Sequence, residues 1–190
     1  MKVIKTEIEG VVILEPEVFA DERGHFFESF SQREFEQKVC GTVFVQDNES
    51  LSLRRGVIRG LHYQLPPMAQ GKLVRVVRGV VLDVAVDIRR GSPTFGRHIA
   101  VELSDENRRQ LFVPRGFAHG YAVLSDDGAV FQYKCDNYYS RPDERGIRFD
   151  DPILRIDWKV GTAEMILSEK DRALPGFEEA EVYDFSEKLY

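Results

Sequence analysis

Cysteine is scarce: the 190 residues hold two, Cys40 and Cys135, far apart and in no C-x-x-C spacing. That argues against a disulfide scaffold and against a structural zinc site. Long apolar runs are missing too. No stretch approaches the ~18 apolar residues of a membrane-spanning helix. The opening Met1-Lys-Val-Ile-Lys-Thr-Glu-Ile-Glu9 breaks its apolar residues with charge every two or three positions, unlike a signal peptide. A cytoplasmic protein without membrane contact is therefore expected. Low-complexity segments, linkers and internal repeats are lacking, so one domain over 1–190 is expected. A positive balance is lacking as well: the net charge is −6 with no basic tail, which disfavours a nucleic-acid partner.

What is present is the material of a packed core. Hydrophobic residues make up 43% of the chain, with 13 Phe and 7 Tyr, which excludes a disordered polymer. At this length about 70% of the unfolded surface can be buried. The charge is also unevenly placed. Between Leu51 and Arg115 stand 11 Arg and one Lys against five acids, a local net of +7, so the flanks together carry −13. Arg outnumbers Lys 18 to 8 overall, and guanidinium suits bidentate recognition of phosphate. Most of these Arg are expected to pair with acids on a solvated surface, leaving a few for a small anionic ligand.

Short apolar alternation punctuated by Gly, Pro, Asp and Asn predicts strands over 73–78, 80–88, 97–103, 109–113, 121–124 and 129–135. In the second of these Val80, Leu82, Val84, Val86 and Ile88 share one face. Asp83 and Asp87 then face either solvent or a polar barrel interior. Helix is limited to Ser31–Val39, opened by the capping box Ser31-Gln-Arg-Glu34, and to Ser168–Leu174, stopped by Pro175-Gly176. The fold class is therefore mainly β, a double-sheet jelly roll or related barrel with short peripheral helices. Its core is expected over about 20–160, with a C-terminal helical segment over about 162–190.

Two of the four histidines stand in suggestive surroundings: His62 in Ile58-Arg-Gly-Leu-His-Tyr-Gln64 and His119 in Val113-Pro-Arg-Gly-Phe-Ala-His-Gly120. His25 and His98 read as core or surface histidines. The second motif contains P-x-G-x-x-H, which resembles a signature of the cupin jelly rolls. The usual H-x-H is replaced by His62-Tyr-Gln64, and Lys72 stands where cupins often place a metal-binding Glu. Two imidazoles, a Gln amide and an ammonium make a poor divalent site, so neither metal nor cofactor is expected. A pocket holding His, Lys and Tyr suits proton abstraction beside a carbonyl, with His as base, Lys beside the enolate oxygen and a phenol returning a proton. Asp83 is a candidate support for His62 or Lys72.

Ordered blocks carry a more specific resemblance. Arg23-Gly-His-Phe-Phe-Glu28, Gln46-Asp-Asn48, Ile58–Gln64, Gly71-Lys-Leu-Val-Arg-Val76, Asp83-Val-Ala-Val-Asp87, Val113–Gly120 and Tyr133-Lys-Cys135 together resemble the dTDP-4-dehydrorhamnose 3,5-epimerases. The match continues through Tyr138-Tyr139, Glu144-Arg-Gly-Ile147, Asp151-Pro152 and Leu167-Ser-Glu-Lys-Asp171. The resemblance implies a cupin-type double-stranded β-helix and a cofactor-independent epimerase acting on a dTDP-linked 4-keto-6-deoxyhexose. It also implies a homodimer built by strands crossing between subunits. By matching position, His62 would be the base, Asp171 its orienting carboxylate, Lys72 the enolate stabiliser and Tyr133 the acid. Arg23, Arg59 and Lys170 would meet the diphosphate. Phe26, Glu28, Gln46, Asp47, Asn48, His119, Tyr139 and Glu144 would line the rest of the substrate site, together with Lys72. Two departures concern the pocket loop: Pro142 falls one place late, and Phe149 stands where the family often has Trp. Related activities fit the same residues: an epimerase of C3 or C5 alone, a 3,4-ketoisomerase, or an inert sugar-nucleotide binder.

Overall fold

The computed structural model describes residues 1–190. Fifteen strands run in chain order: β1 (Lys2–Lys5), β2 (Val12–Glu15), β3 (Phe19–Asp21), β4 (Gly24–Phe26), β5 (Gln46–Ser52), β6 (Ile58–Gln64), β7 (Lys72–Arg78), β8 (Val80–Asp87), β9 (Arg89–Arg90), β10 (His98–Ser104), β11 (Gln110–Val113), β12 (Phe117–Val123), β13 (Ala129–Cys135), β14 (Glu144–Gly146) and β15 (Tyr183–Asp184). Two α-helices, α1 (Gln32–Lys38) and α2 (Glu169–Arg172), lie at the periphery. No helix is long and apolar enough to cross a membrane.

Two antiparallel sheets face each other. One has the order β1-β2-β11-β7-β13-β5 and the other β10-β8-β12-β6-β14, the double-sheet architecture the alternation predicts. Period-2 alternation splits the core into two layers. Between the sheets lie Val74 and Val76 of β7, Val81 and Ala85 of β8, Phe117, Tyr121 and Val123 of β12, and Ala129 and Phe131 of β13. The opposite face of β8 and β12, with Leu82, Val84, Val86, Ala118 and Ala122, packs under the C-terminal segment through Trp158, Phe177 and Tyr183. Asp83 and Asp87 are both fully buried, so of the two options the polar interior holds.

The expected boundaries need correction at both ends. The larger sheet starts at Lys2 rather than about 20, because β2 pairs with β11 and β1 with β2. Residues 162–190 are helical only in a 3-10 turn at Thr162–Glu164 and in α2; the rest is irregular with the short β15, and it serves as a cover rather than a helical unit. The helix expected over Ser168–Leu174 is only the single turn Glu169–Arg172, with Ser168 as its N-cap. On α1, Ser31 Oγ accepts from the Glu34 amide at 3.4 Å, and Phe35 is fully buried against Phe44 and Phe112.

Candidate active site

β6 and β12 approach closely at a pair of glycines, one on each strand. Gly60 has φ +119°, and a Cβ there would lie 2.5 Å from Gly120 Cα; a Cβ on Gly120 would lie 2.7 Å from Arg59 O. Only glycines permit this backbone approach. The β6–β12 pairing changes register there, and His62 comes to lie opposite His119.

His62 Nε2 lies 2.6 Å from Asp171 Oδ1, and the Asp171 side chain is only 6% exposed. An ionised carboxylate can only accept, so the imidazole donates through Nε2 and Nδ1 is left as its basic nitrogen. Burial alone would raise the Asp171 carboxyl. The hydrogen bond from His62, aided by Ser168 and the Gly60 amide, outweighs it and holds the carboxyl below its ordinary range.

The facing sheet supplies Lys72 from β7 and Tyr133 from β13. These strands pair with Cys135 opposite Lys72, and the ammonium sits 6.0 Å from the centre of the Tyr133 ring. Base and phenol thus stand on opposite walls of one cavity. Burial pushes the Tyr133 phenol up to about 12, against a partial opposing pull from Arg59. It is therefore fully protonated near neutrality and available as an acid. Burial also lowers the Lys72 ammonium, a trend opposed by Cys135, Asp83 and Glu144.

Asp83 does not support His62 or Lys72 through a hydrogen bond. Its two carboxylate oxygens lie 3.1 and 3.0 Å from His119 Nε2, forming a second buried His–Asp pair in the same interior. The cavity has a volume of about 610 Å³ and brings together Arg54, Arg59, His62, Lys72, His119, Tyr121, Tyr133, Lys170 and Asp171. No group of three His, Cys, Asp or Glu side chains is clustered as a metal site would need. Each imidazole in the cavity is engaged by its own carboxylate.

The charge left over also lies here. Arg89, Arg97, Arg109 and Arg115 pair with Asp87, Glu7, Glu15 and Asp136, and Arg55 reaches Glu164 at 3.9 Å, so five of the eleven Arg of the positive stretch meet a carboxylate, fewer than the surface-pairing expectation. Arg59 instead donates to Ser52 Oγ (3.3 Å) and Leu51 O (3.2 Å), without a carboxylate partner. An anion entering the cavity would meet that uncompensated guanidinium.

Other residues named from the sequence form a connected rim. Lys170 Nζ pairs with Glu144 Oε1 at 2.6 Å, and Tyr139 Oη donates to Glu144 Oε2 at 3.0 Å. The Tyr139 amide donates to Gln46 Oε1 (3.1 Å), and Gln46 Nε2 to Asn48 Oδ1 (3.1 Å). Asp47, one residue out of phase on β5, faces away and pairs with Lys134 at 2.9 Å. Arg23 and Phe26 lie on the exposed β3–β4 hairpin, where Arg23 pairs with Asp21 at 2.6 Å; neither they nor Glu28 lines the cavity of their own chain. Residues that the sequence did not single out include Arg54, Tyr121 and its hydrogen-bond partner Ser50 (2.8 Å). Arg54 fell within the positive stretch, which was its only signal.

Comparison with known proteins agrees with this arrangement. The family model for dTDP-4-dehydrorhamnose 3,5-epimerase matches residues 5–179. The dTDP-4-dehydrorhamnose 3,5-epimerase of Shigella flexneri is 59% identical over 172 residues, covering 90% of this chain and 93% of that protein. A Legionella pneumophila dTDP-6-deoxy-D-glucose-3,5-epimerase, solved in complex with dTDP-4-keto-L-rhamnose, is similar with TM-score 0.92 and 45% identity, covering 98% of this chain and 99% of that one. A 3'-monoepimerase of Streptomyces bikiniensis, solved with dTDP-quinovose, gives TM-score 0.84 and 35% identity over 91% of this chain and 86% of its own. By sequence and fold, the chain belongs to the dTDP-4-dehydrorhamnose 3,5-epimerase family.

Proposed function

We infer that this chain inverts C3 and C5 of dTDP-4-dehydro-6-deoxy-D-glucose to give dTDP-4-dehydro-L-rhamnose by proton transfer alone. The observation that carries this is the placement of His62 and Tyr133 on facing sheets, with Lys72 beside the phenol. Both C3 and C5 flank the C4 ketone, which acidifies their protons. His62 Nδ1 takes one proton, and the electron pair of the broken C–H bond moves into an enolate whose oxygen the Lys72 ammonium stabilises. Tyr133 then donates its phenolic proton to the opposite face of the same carbon, and the C4 ketone re-forms. The imidazolium and tyrosinate left behind return to their starting states by exchange with water, and the cycle repeats at the second carbon. Reprotonation by His62 would only regenerate substrate, so inversion requires both walls.

The magnitudes fit these roles. A positioned acid or base contributes ~10² to 10⁴-fold, and one preorganised oxyanion donor roughly 3 to 4 kcal/mol. Arg59 and Lys170 meet the diphosphate at the cavity mouth, and the Gln46–Asn48–Tyr139 rim meets the nucleoside. A homodimer belongs to the same proposal. β5 is a free sheet edge, and Phe19 and Phe26 of the hairpin are 59% and 71% exposed, the kind of edge and apolar surface that another chain covers. The hairpin of a second copy would bring Arg23, Phe26 and Glu28 to this rim. The test of the base assignment is His62→Ala, which abolishes turnover while dTDP still binds by calorimetry. A rate like that of the unsubstituted enzyme would refute it.

A further inference from the structure

The segment that carries Asp171 is fastened to the strand that carries His62. Ile166 N donates to Gly56 O (2.8 Å) and Ile58 N to Ile166 O (2.9 Å), around a parallel bridge between Val57 and Ile166. Gly56 has φ +87°, and a Cβ there would lie 2.1 Å from Glu164 O, so the junction is close and particular to glycine. From that anchor the chain still has to turn to bring Asp171 up to the imidazole.

It does so through α2, which is one turn long. A single turn fixes several dihedral angles for very few internal hydrogen bonds, so it does not hold its shape unaided. Its backbone supplies Arg172 N to Ser168 O (3.1 Å) and Ala173 N to Glu169 O (3.2 Å) and Lys170 O (3.1 Å). Beyond the contacts of Lys170 with Glu144 and of Asp171 with His62, a further constraint comes from the Ser168 side chain. Ser168 has extended backbone angles, φ −67° and ψ 157°, and its Oγ accepts from the Asp171 amide at 3.0 Å. The amide that is capped belongs to the residue whose carboxylate meets His62 Nε2 at 2.6 Å.

We propose that Ser168 is a positioning residue for the His62–Asp171 pair, its hydroxyl setting the height of the carboxylate against the imidazole by capping the turn on the Asp171 amide. The proposal rests on the epimerase reading with His62 as base. Ser168 acts through Asp171, whose amide it caps. Misplacement of a catalytic group by about 1 Å can cost 10²-fold, so one capping bond at this position reaches the chemistry.

The test compares Ser168→Ala and Ser168→Thr with the unsubstituted enzyme. Loss of the cap lowers kcat about tenfold, the kinetic equivalent of about 1.4 kcal/mol. Ser168 is part of the cavity lining, but KM and dTDP affinity stay within about twofold because Arg59, Lys170 and the Gln46–Asn48–Tyr139 rim are unaltered. Thr retains a capping hydroxyl and restores most of kcat. The downfield proton resonance of the His62 Nε2–H weakens in the Ala variant and returns in the Thr variant. A Ser168→Ala rate equal to that of an active unsubstituted enzyme overturns the proposal alone. So does a loss that follows the melting temperature and dTDP affinity without rescue by Thr, which would mark a purely structural cap. An unsubstituted enzyme that exchanges neither C3 nor C5 protons overturns the epimerase reading and this proposal with it.

Discussion

Asp171 shows how one residue couples the site to the stability of the fold. Its carboxyl is held below its ordinary value chiefly because the His62 hydrogen bond outweighs the cost of burial. A carboxyl depressed in the folded state stabilises the fold above its unfolded value of ~3.9, and that contribution is lost as pH falls toward the folded value. Without His62 the largest lowering influence is gone, and burial is opposed only by Ser168 and the Gly60 amide. The stability deficit of His62→Ala relative to the unsubstituted protein should therefore narrow between about pH 6 and pH 3, as read by urea unfolding at each pH. A deficit constant across that range would mean the pair contributes nothing to folding. At this scale the sequence was informative where a motif names its own chemistry: His62, Lys72, Tyr133 and Asp171 all face one cavity or its wall. It was not informative about partners. Asp83 holds His119 because of the β8–β12 register, a cross-strand relation that local spacing does not encode.

Among elements, the strands with apolar alternation were legible, and β5, β6 and the β3–β4 hairpin less so. β7, β8, β10, β11 and β13 carry apolar residues on the face that meets the interior, and β8 and β11 are buried on their other face as well. β5, Gln-Asp-Asn-Glu-Ser-Leu-Ser, is a largely polar edge strand, and its alternation is of polar residues that turn in toward the rim or out toward solvent. β6 carries the base but has Gly60 in its middle and a register change opposite Gly120, so a period-2 pattern cannot form. The β3–β4 hairpin was invisible to periodicity because neither face is buried in its own chain. It matters through its proposed place on a second copy. Arg23→Ala should raise KM several-fold with kcat little changed, while sedimentation still reports a dimer. An unchanged KM would remove the hairpin from the substrate site.

For the molecule as a whole, facing sheets do what one sheet cannot. His62 on β6 and Tyr133 on β13 face one cavity from opposite sheets, with Arg59 free of any carboxylate in its lining; the proposed acid–base pair would thus reach a sugar ring from both sides, and the guanidinium would suit a diphosphate. The net charge of −6 conceals this, since it sums acids spread over the whole chain while Arg59 faces the cavity without a carboxylate partner. The most direct test of the two-wall account is NMR of dTDP-4-dehydro-6-deoxy-D-glucose turned over in deuterated water by the unsubstituted enzyme and by Tyr133→Phe. The unsubstituted enzyme should give inverted product carrying deuterium at both C3 and C5. Tyr133→Phe should wash deuterium into the substrate through His62 with little inversion. Inverted product formed by Tyr133→Phe at the unsubstituted rate, or product free of solvent deuterium at both carbons, would contradict the account.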